Sequence, residues 1–124
     1  MTQTAFVTTN NLVLHVNAMP ARQGTTPIIF INSLGSDLRI WDGVVECMEG
    51  NYRLVRYDKR GHGLSDCPDA PYSIRDHTLD LQGLTDALDI DKAVLIGISV
   101  GGMIAMDFAS QYPARVQALI LCDT

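Results

Sequence analysis

Short apolar runs alternate with segments of helical character along most of the chain. Four runs are typical of strands covered on both faces, and they lie at residues 28–31, 53–57, 92–96 and 116–122. The segments between them carry helical spacing or helix-boundary signals, and we predict helices at roughly 37–49, 73–89 and 100–111. Strands that alternate with helices form βαβ crossovers. The pattern therefore predicts the α/β class, with a mostly parallel sheet and helices on both of its faces.

Two β-rich segments precede the first apolar run. Residues 5–9 and 12–17 contain mostly strand-forming side chains and are separated by Asn10 and Asn11. Because asparagine tolerates a positive φ angle, this pair predicts a two-residue turn between antiparallel strands. We therefore expect an N-terminal hairpin that adds an antiparallel edge to the sheet.

Composition and charge narrow the class of protein. The 124 residues are 47% hydrophobic and 19% charged, an ordinary globular composition of one-domain length. The net charge of −5 argues against nucleic acid or an anionic membrane surface as the main partner. No stretch approaches the roughly 18 apolar residues of a membrane span. Three cysteines (Cys47, Cys67 and Cys122) without C-x-x-C spacing favour free thiols over disulfides or a metal site, so we expect a cytoplasmic protein.

The chemically informative motif is a G-x-S-x-G between a predicted strand and a predicted helix. It runs from Gly97 through Ser99 to Gly101. In this context the motif predicts a sharp turn that exposes a serine nucleophile, with flanking glycines that allow close approach of the backbone. We therefore predict Ser99 as the catalytic nucleophile. The N–H of Val100, at the start of the helix, is predicted to donate to an oxyanion.

A loop after an earlier strand supplies the other half of the predicted oxyanion hole. Residues 32–35 follow the run at 28–31, in the position from which this type of site takes its second N–H donor. We predict the backbone N–H of Leu34 as that donor, with Ser33 as the neighbouring candidate.

The same residues allow a rival interpretation as a dinucleotide-binding fingerprint. Gly97, Ser99 and Gly102 have the spacing of G-x-G-x-x-G, and Asp123 follows about 20 residues later. However, the middle glycine lets the backbone approach a pyrophosphate, and the Ser99 side chain would intrude there. The fingerprint also usually opens the first βαβ unit, whereas several strands precede it here. The interpretation of Ser99 as a nucleophile is therefore favoured.

Three segments, residues 32–41, 56–65 and 97–104, resemble the α/β-hydrolase superfamily. The Arg-Gly-His-Gly and G-x-S-x-G-G elements carry this resemblance. The stretch from Asn32 to Trp41 is most similar to the 3-oxoadipate enol-lactonases of aromatic-compound catabolism. The resemblance implies hydrolysis of an ester or lactone in the β-ketoadipate pathway, without a metal or an organic cofactor. It also implies that His62 shapes its loop and does not serve as the triad base.

In the family that the chain resembles, the catalytic acid and histidine follow the serine along the chain. We expect both to lie beyond Thr124, so residues 1–124 are interpreted as the amino-terminal half of a single domain. The missing half or a second polypeptide would then be the partner that supplies Asp and His. The isolated chain is expected to be nearly inactive. Alternatives are a carboxylesterase, a perhydrolase, a carbon–carbon bond hydrolase, or a catalytically incomplete half-domain that acts by association.

An enol-lactone substrate carries a carboxylate, whereas the chain is net negative. A local cation must then attract the substrate, and Arg39 beside the predicted oxyanion loop is the candidate. Trp41 is the candidate for lining the substrate pocket. The simpler interpretations are a solvated surface arginine and a tryptophan that packs in the core.

Overall fold

A six-stranded mixed sheet organises the computed structural model, which describes residues 3–20 and 23–124. The strands are β1 (Gln3–Thr9), β2 (Leu12–Met19), β3 (Ile28–Ile31), β4 (Leu54–Tyr57), β5 (Ala93–Ile98) and β6 (Val116–Cys122). Their order across the sheet is β1-β2-β4-β3-β5-β6. Strands β4, β3, β5 and β6 are mutually parallel, as the alternating pattern predicts.

The N-terminal hairpin is confirmed. Asn10 and Asn11 both have positive φ angles, 47° and 60°, and join β1 to β2 in antiparallel register. Strand β2 also pairs antiparallel with β4, so the hairpin extends the parallel sheet at one edge. Strand β6 lies at the opposite edge.

Helices cover both faces of the sheet. The helices are α1 (Asp42–Met48), α2 (Ile74–Ala87) and α3 (Val100–Gln111), with 3₁₀ turns at Leu38–Trp41 and Pro113–Arg115. Helices α2 and α3 pack on one face over a core that includes Leu81, Ile104 and Phe108. Helix α1 covers a smaller core on the other face, where Val45 packs with Phe30.

Two predicted helix boundaries need correction. The helix expected at 37–49 is instead a 3₁₀ turn followed by α1, and the Asp37 side chain caps the 3₁₀ turn by accepting from Arg39 N–H. The helix expected to reach residue 89 ends at Ala87. Asp89 has a φ of 53°, and this left-handed conformation cannot continue an α-helix.

Three loops meet at the carboxyl ends of neighbouring parallel strands, where open α/β sheets place their sites. These are residues 32–36 after β3, residues 58–66 after β4 and Ser99 after β5. Within the described ranges, no helix has the length and apolar character needed to cross a membrane.

Candidate active site

Ser99 occupies the turn between β5 and α3, and its backbone is strained. Its φ and ψ angles are 54° and −120°, which side-chain-bearing residues rarely adopt, and the residue is solvent-exposed. The N–H of Ser99 donates to the Cys122 carbonyl at 2.9 Å, whereas its own carbonyl accepts from Gly102 N–H at 2.9 Å and from Thr124 Oγ1 at 2.7 Å. These hydrogen bonds hold the conformation in place.

The two glycines of the motif make the turn sterically possible. A Cβ atom on Gly97 would lie 2.4 Å from the Gly101 carbonyl oxygen, and one on Gly101 would lie 2.1 Å from the Ile31 carbonyl oxygen. Both contacts involve backbone atoms, which cannot rotate away as a side chain can. The absence of side chains at these positions therefore lets the start of α3 lie against the ends of β5 and β3.

Two backbone N–H groups, those of Val100 and Leu34, are the predicted donors of the oxyanion hole. Val100 is the first residue of α3, so its N–H has no partner inside the helix. Neither Val100 N–H nor Leu34 N–H finds an acceptor among residues 3–20 and 23–124. A helix N-terminus also favours negative charge, so Val100 N–H is electrostatically suited to an anion.

The loop formed by residues 32–36 is tied to β4 and its following loop. The Ser33 carbonyl accepts from Lys59 Nζ at 2.9 Å and from Ser36 Oγ at 2.9 Å. Gly35 N–H donates to His62 Nε2 at 3.0 Å. Because His62 Nε2 accepts, its Nδ1 carries the proton and donates to the Arg60 carbonyl at 2.9 Å. His62 therefore shapes the loop through contacts at both ring nitrogens.

Asp58 joins three separate elements through one buried carboxylate. Its Oδ1 accepts from Leu38 N–H at 2.8 Å, and its Oδ2 accepts from Leu64 N–H at 2.9 Å and contacts His15 Nδ1 at 2.8 Å. Gly63 makes room for it, because a Cβ there would lie 2.0 Å from Oδ2. The contacts with Leu38 and His15 are long-range and had no local signal.

Arg39 and Trp41, the predicted substrate-binding residues, are engaged within the protein. The Arg39 guanidinium pairs with Asp37 through two contacts of 2.9 and 2.7 Å, and this hydrogen bonding lowers the pKa of Asp37 to about 2. The Trp41 side chain is buried; its Nε1 donates to Asn32 Oδ1 at 2.8 Å and its ring packs 5.0 Å from that of Phe30. Trp41 thus packs in the core beneath the loop.

Arg39 also lines a cavity of about 400 Å³ on the β2 side of the site. His15 and Asp58 contribute to its walls, whereas Ser99 does not.

No base within the described residues contacts the serine hydroxyl, which forms no hydrogen bond to them. The chain has three histidines. His15 pairs with Asp58 and His62 with the 32–36 loop. His77 on α2 is buried, and burial is the main reason that its pKa falls to about 4. Within the same residues, no cluster of three or more His, Cys, Asp or Glu side chains could hold a metal ion.

Known proteins are similar to this chain in sequence. The chain is 37% identical over 97 residues to 3-oxoadipate enol-lactonase 2 of Acinetobacter baylyi. This alignment covers 78% of the present chain and 36% of the relative. The chain is 36% identical over 97 residues to enol-lactonase 1 of the same organism, again covering 78% of this chain and 36% of the relative.

A solved structure shares the architecture. The enol-lactonase from Burkholderia xenovorans LB400 superimposes with a TM-score of 0.88 at 35% sequence identity, covering 93% of this chain and 45% of that one. The chain thus spans less than half the length of these proteins. The family described as "alpha/beta hydrolase fold" matches residues 26–124. Because this match includes well over half of the residues, the chain belongs to the α/β hydrolase fold family.

Proposed function

We propose that Ser99 is the nucleophile of a serine hydrolase that acts on a carboxylic ester or a lactone. The observation that carries the proposal is the backbone of this exposed serine, at φ 54° and ψ −120°. Such a conformation costs about 1–3 kcal/mol, and strain of this kind clusters at functional sites. The free N–H groups of Val100 and Leu34 support the assignment, because an oxyanion needs donors that are not already bonded.

The proposed reaction proceeds by acyl transfer. Ser99 Oγ attacks the carbonyl carbon while a histidine accepts its proton, and the oxyanion that forms is held by Leu34 and Val100 N–H. Collapse of the tetrahedral intermediate breaks the bond to the alkoxy or enol oxygen, which takes the proton back from the histidine. Water then cleaves the acyl-enzyme by the same steps and releases the carboxylic acid.

The proposal assigns the histidine and its orienting carboxylate to residues outside the 124. A further segment of the polypeptide or a second polypeptide would supply them, since His15 and His62 have other partners and His77 is buried. Loss of a triad member can lower turnover about 10⁶-fold, whereas the oxyanion donors alone retain roughly 10³–10⁴ over water. The 124 residues on their own are therefore expected to turn over substrate very slowly.

The substrate that we propose is 3-oxoadipate enol-lactone, hydrolysed to 3-oxoadipate. The proposal is supported by the similarity to two enol-lactonases above 30% identity. The enol that leaves becomes a ketone, which makes it a good leaving group. Arg39 would meet the substrate carboxylate only after exchanging its contact with Asp37. The proposed location is the cytoplasm, where the free cysteines would stay reduced.

Covalent labelling tests the nucleophile directly. The native species, with any residues or second polypeptide that accompany the 124 and supply the histidine, is treated with an excess of an aryl alkylphosphonate and analysed by intact-mass and peptide mass spectrometry. A single adduct on Ser99 is expected, absent in Ser99→Ala and retained in Ser110→Ala, since Ser110 lies exposed near the other end of α3. Failure of the unmodified native species to form an adduct at high excess would overturn the nucleophile and favour the associating half-domain.

Two further measurements test the substrate and the partner. Turnover of the enol-lactone is compared with that of a simple aryl ester in the native species purified from its source. A preference for the aryl ester would contradict the enol-lactone assignment and leave the serine hydrolase intact. The intact mass of that species shows whether additional residues or a second polypeptide accompany the 124.

A further inference from the structure

The direction of the Leu34 N–H is set by the carbonyl on the same peptide unit. Ser33 C=O and Leu34 N–H belong to one planar peptide, and in the trans form they point in opposite directions. Any group that anchors the Ser33 carbonyl therefore also aims the Leu34 N–H. This matters because an oxyanion donor acts only when it is directed at the oxygen that becomes charged.

Lys59 is such an anchor. Its Nζ donates to the Ser33 carbonyl at 2.9 Å from the chain that follows β4, and the residue is only 1% exposed. Ser36 Oγ binds the same carbonyl at 2.9 Å. The next peptide is fixed through Gly35 N–H, which donates to His62 Nε2. The peptides on both sides of Leu34 are thus held in place. Among the described residues, Leu34 N–H itself has no hydrogen-bond acceptor.

Lys59 has no ion pair in the described part of the chain. Burial lowers its pKa to about 8, and the neighbouring carboxylate of Asp58 partly opposes this effect, so the amine stays mainly protonated at neutral pH. On α2, the titratable group that interacts with the charge of Lys59 is His77, which is buried and neutral at neutral pH. A cation buried without an ion pair opposes folding, which argues that the residue serves something other than stability.

We propose that Lys59 is a positioning residue of the oxyanion hole. Its ammonium group fixes the Ser33 carbonyl so that Leu34 N–H faces the oxygen bound to the Ser99 adduct. The positive charge also polarises this peptide and makes Leu34 N–H a stronger donor. The role rests on the proposed function of Ser99, because without an adduct there is no oxyanion to bind.

The test compares Lys59→Met with Lys92→Met at neutral pH. Lys92 is the other lysine of the chain; it is exposed and precedes β5 at the end opposite Ser99. The readout is phosphonylation of Ser99 in the native species, which includes the residues or polypeptide that supply the histidine, separated into the initial affinity for the reagent and the maximal rate of adduct formation. Loss of a whole oxyanion donor costs about 10²–10³ in rate, so a misdirected donor should cost about tenfold to a hundredfold. We expect this loss in the maximal rate of Lys59→Met, with affinity unchanged.

The Lys92→Met chain should react at the unmodified rate. A Lys59→Met chain that folds and reacts within twofold of the unmodified chain would overturn the role of Lys59 while leaving Ser99 as the nucleophile. Failure of the unmodified chain to react would instead overturn the proposed function itself. The two failures are therefore distinguishable.

A second measurement needs no substitution, so it tests the positioning role of Lys59 even if Lys59→Met does not fold. The side-chain NMR signals of the two lysines are assigned and followed while the phosphonate reacts with the unmodified chain. The Lys59 signals are expected to shift as the phosphonyl oxygen engages Leu34 N–H, whereas those of Lys92 stay in place. An adduct that leaves the Lys59 signals unmoved would contradict the inference.

Discussion

Asp58 Oδ1 accepts a hydrogen bond from the backbone N–H of Leu38, 20 positions earlier in the chain, at 2.8 Å. This contact fixes the 3₁₀ turn that follows the 32–36 loop onto the end of β4. The same carboxylate holds Leu64 and His15, so one buried charge sets the relative positions of three segments.

Asp58→Asn should therefore destabilise the fold. An asparagine keeps one acceptor oxygen and turns an NH₂ group toward donors, which leaves at least one buried N–H unsatisfied. Because hydrogen bonds to a charged acceptor contribute more than neutral ones, we expect a loss of about 2–4 kcal/mol in the free energy of unfolding. Urea denaturation measures it. Asp91→Asn is the control, since Asp91 is exposed, and a change equal to that control would contradict the prediction.

Gly101→Ala should destabilise the chain by placing a methyl group against the Ile31 carbonyl oxygen. The added Cβ would lie 2.1 Å from this oxygen, and backbone atoms cannot rotate away, so the start of α3 must move away from the end of β3. Overpacking of this kind costs about 1–3 kcal/mol or more. Thermal and urea denaturation should both show the loss.

Gly43→Ala provides the matched control for the glycine prediction. Gly43 lies in α1, and a Cβ there would meet no atom within 4 Å. Alanine is the better helix former by about 0.5–1 kcal/mol, so this variant should be slightly stabilised. Equal effects of the two substitutions would show that the close approach of Gly101 is not what limits stability.

Most of the fold could be predicted from local signals. Strands β3 and β6 and helix α3 have the predicted bounds, because a short apolar run, a G-x-S-x-G turn and a following proline mark their ends. The hairpin followed from two adjacent asparagines that both adopt positive φ angles. In each case the information lies within a few residues of the element itself.

The contacts that shape the site could not be predicted in the same way. The bond from Lys59 to Ser33 and the contact of His15 with Asp58 join residues that are 26 and 43 positions apart. They depend on which strands become neighbours, and no local pattern records that. The sequence makes Arg39 a candidate for binding a substrate carboxylate, and the structure pairs its guanidinium with Asp37, two positions earlier. The 3₁₀ turn brings both side chains together at the surface.

Acid should destabilise the fold through His77. Burial lowers its pKa to about 4 from an ordinary 6.5, so the unfolded chain binds more protons than the folded one between these values. The free energy of unfolding should therefore fall as the pH drops from about 6.5 to 4, by about 1–2 kcal/mol after allowance for solvent screening. Urea denaturation across this range measures the slope. His77→Gln should flatten it, and an unchanged slope in that variant would assign the acid sensitivity to other groups.

At alkaline pH, we expect Lys59 to make the free energy of unfolding depend on pH. Its pKa is about 8 when folded and 10.5 ordinarily, so the unfolded chain again binds more protons between these values. Relative to Lys59→Met, the unmodified chain should gain stability as the pH rises from about 8 to 10.5. Other titrating groups cancel in the difference between the two chains. A difference that does not change with pH would show that the amine is not desolvated in the folded state.

Ser99→Gly should stabilise the chain while abolishing its reactivity. Glycine adopts φ 54° and ψ −120° without the steric cost that a Cβ imposes, so the strain of the turn is relieved. We expect a gain of about 1 kcal/mol in the free energy of unfolding, measured by urea denaturation, together with the loss of phosphonate labelling. Ser99→Ala is the matched control, because it removes the hydroxyl but keeps the Cβ and hence the strain. Both variants should fail to react, and only the glycine variant should be more stable. Equal stability of the two would mean that the conformation of residue 99 carries no strain, and the physical argument for a site built around this serine would lose its basis.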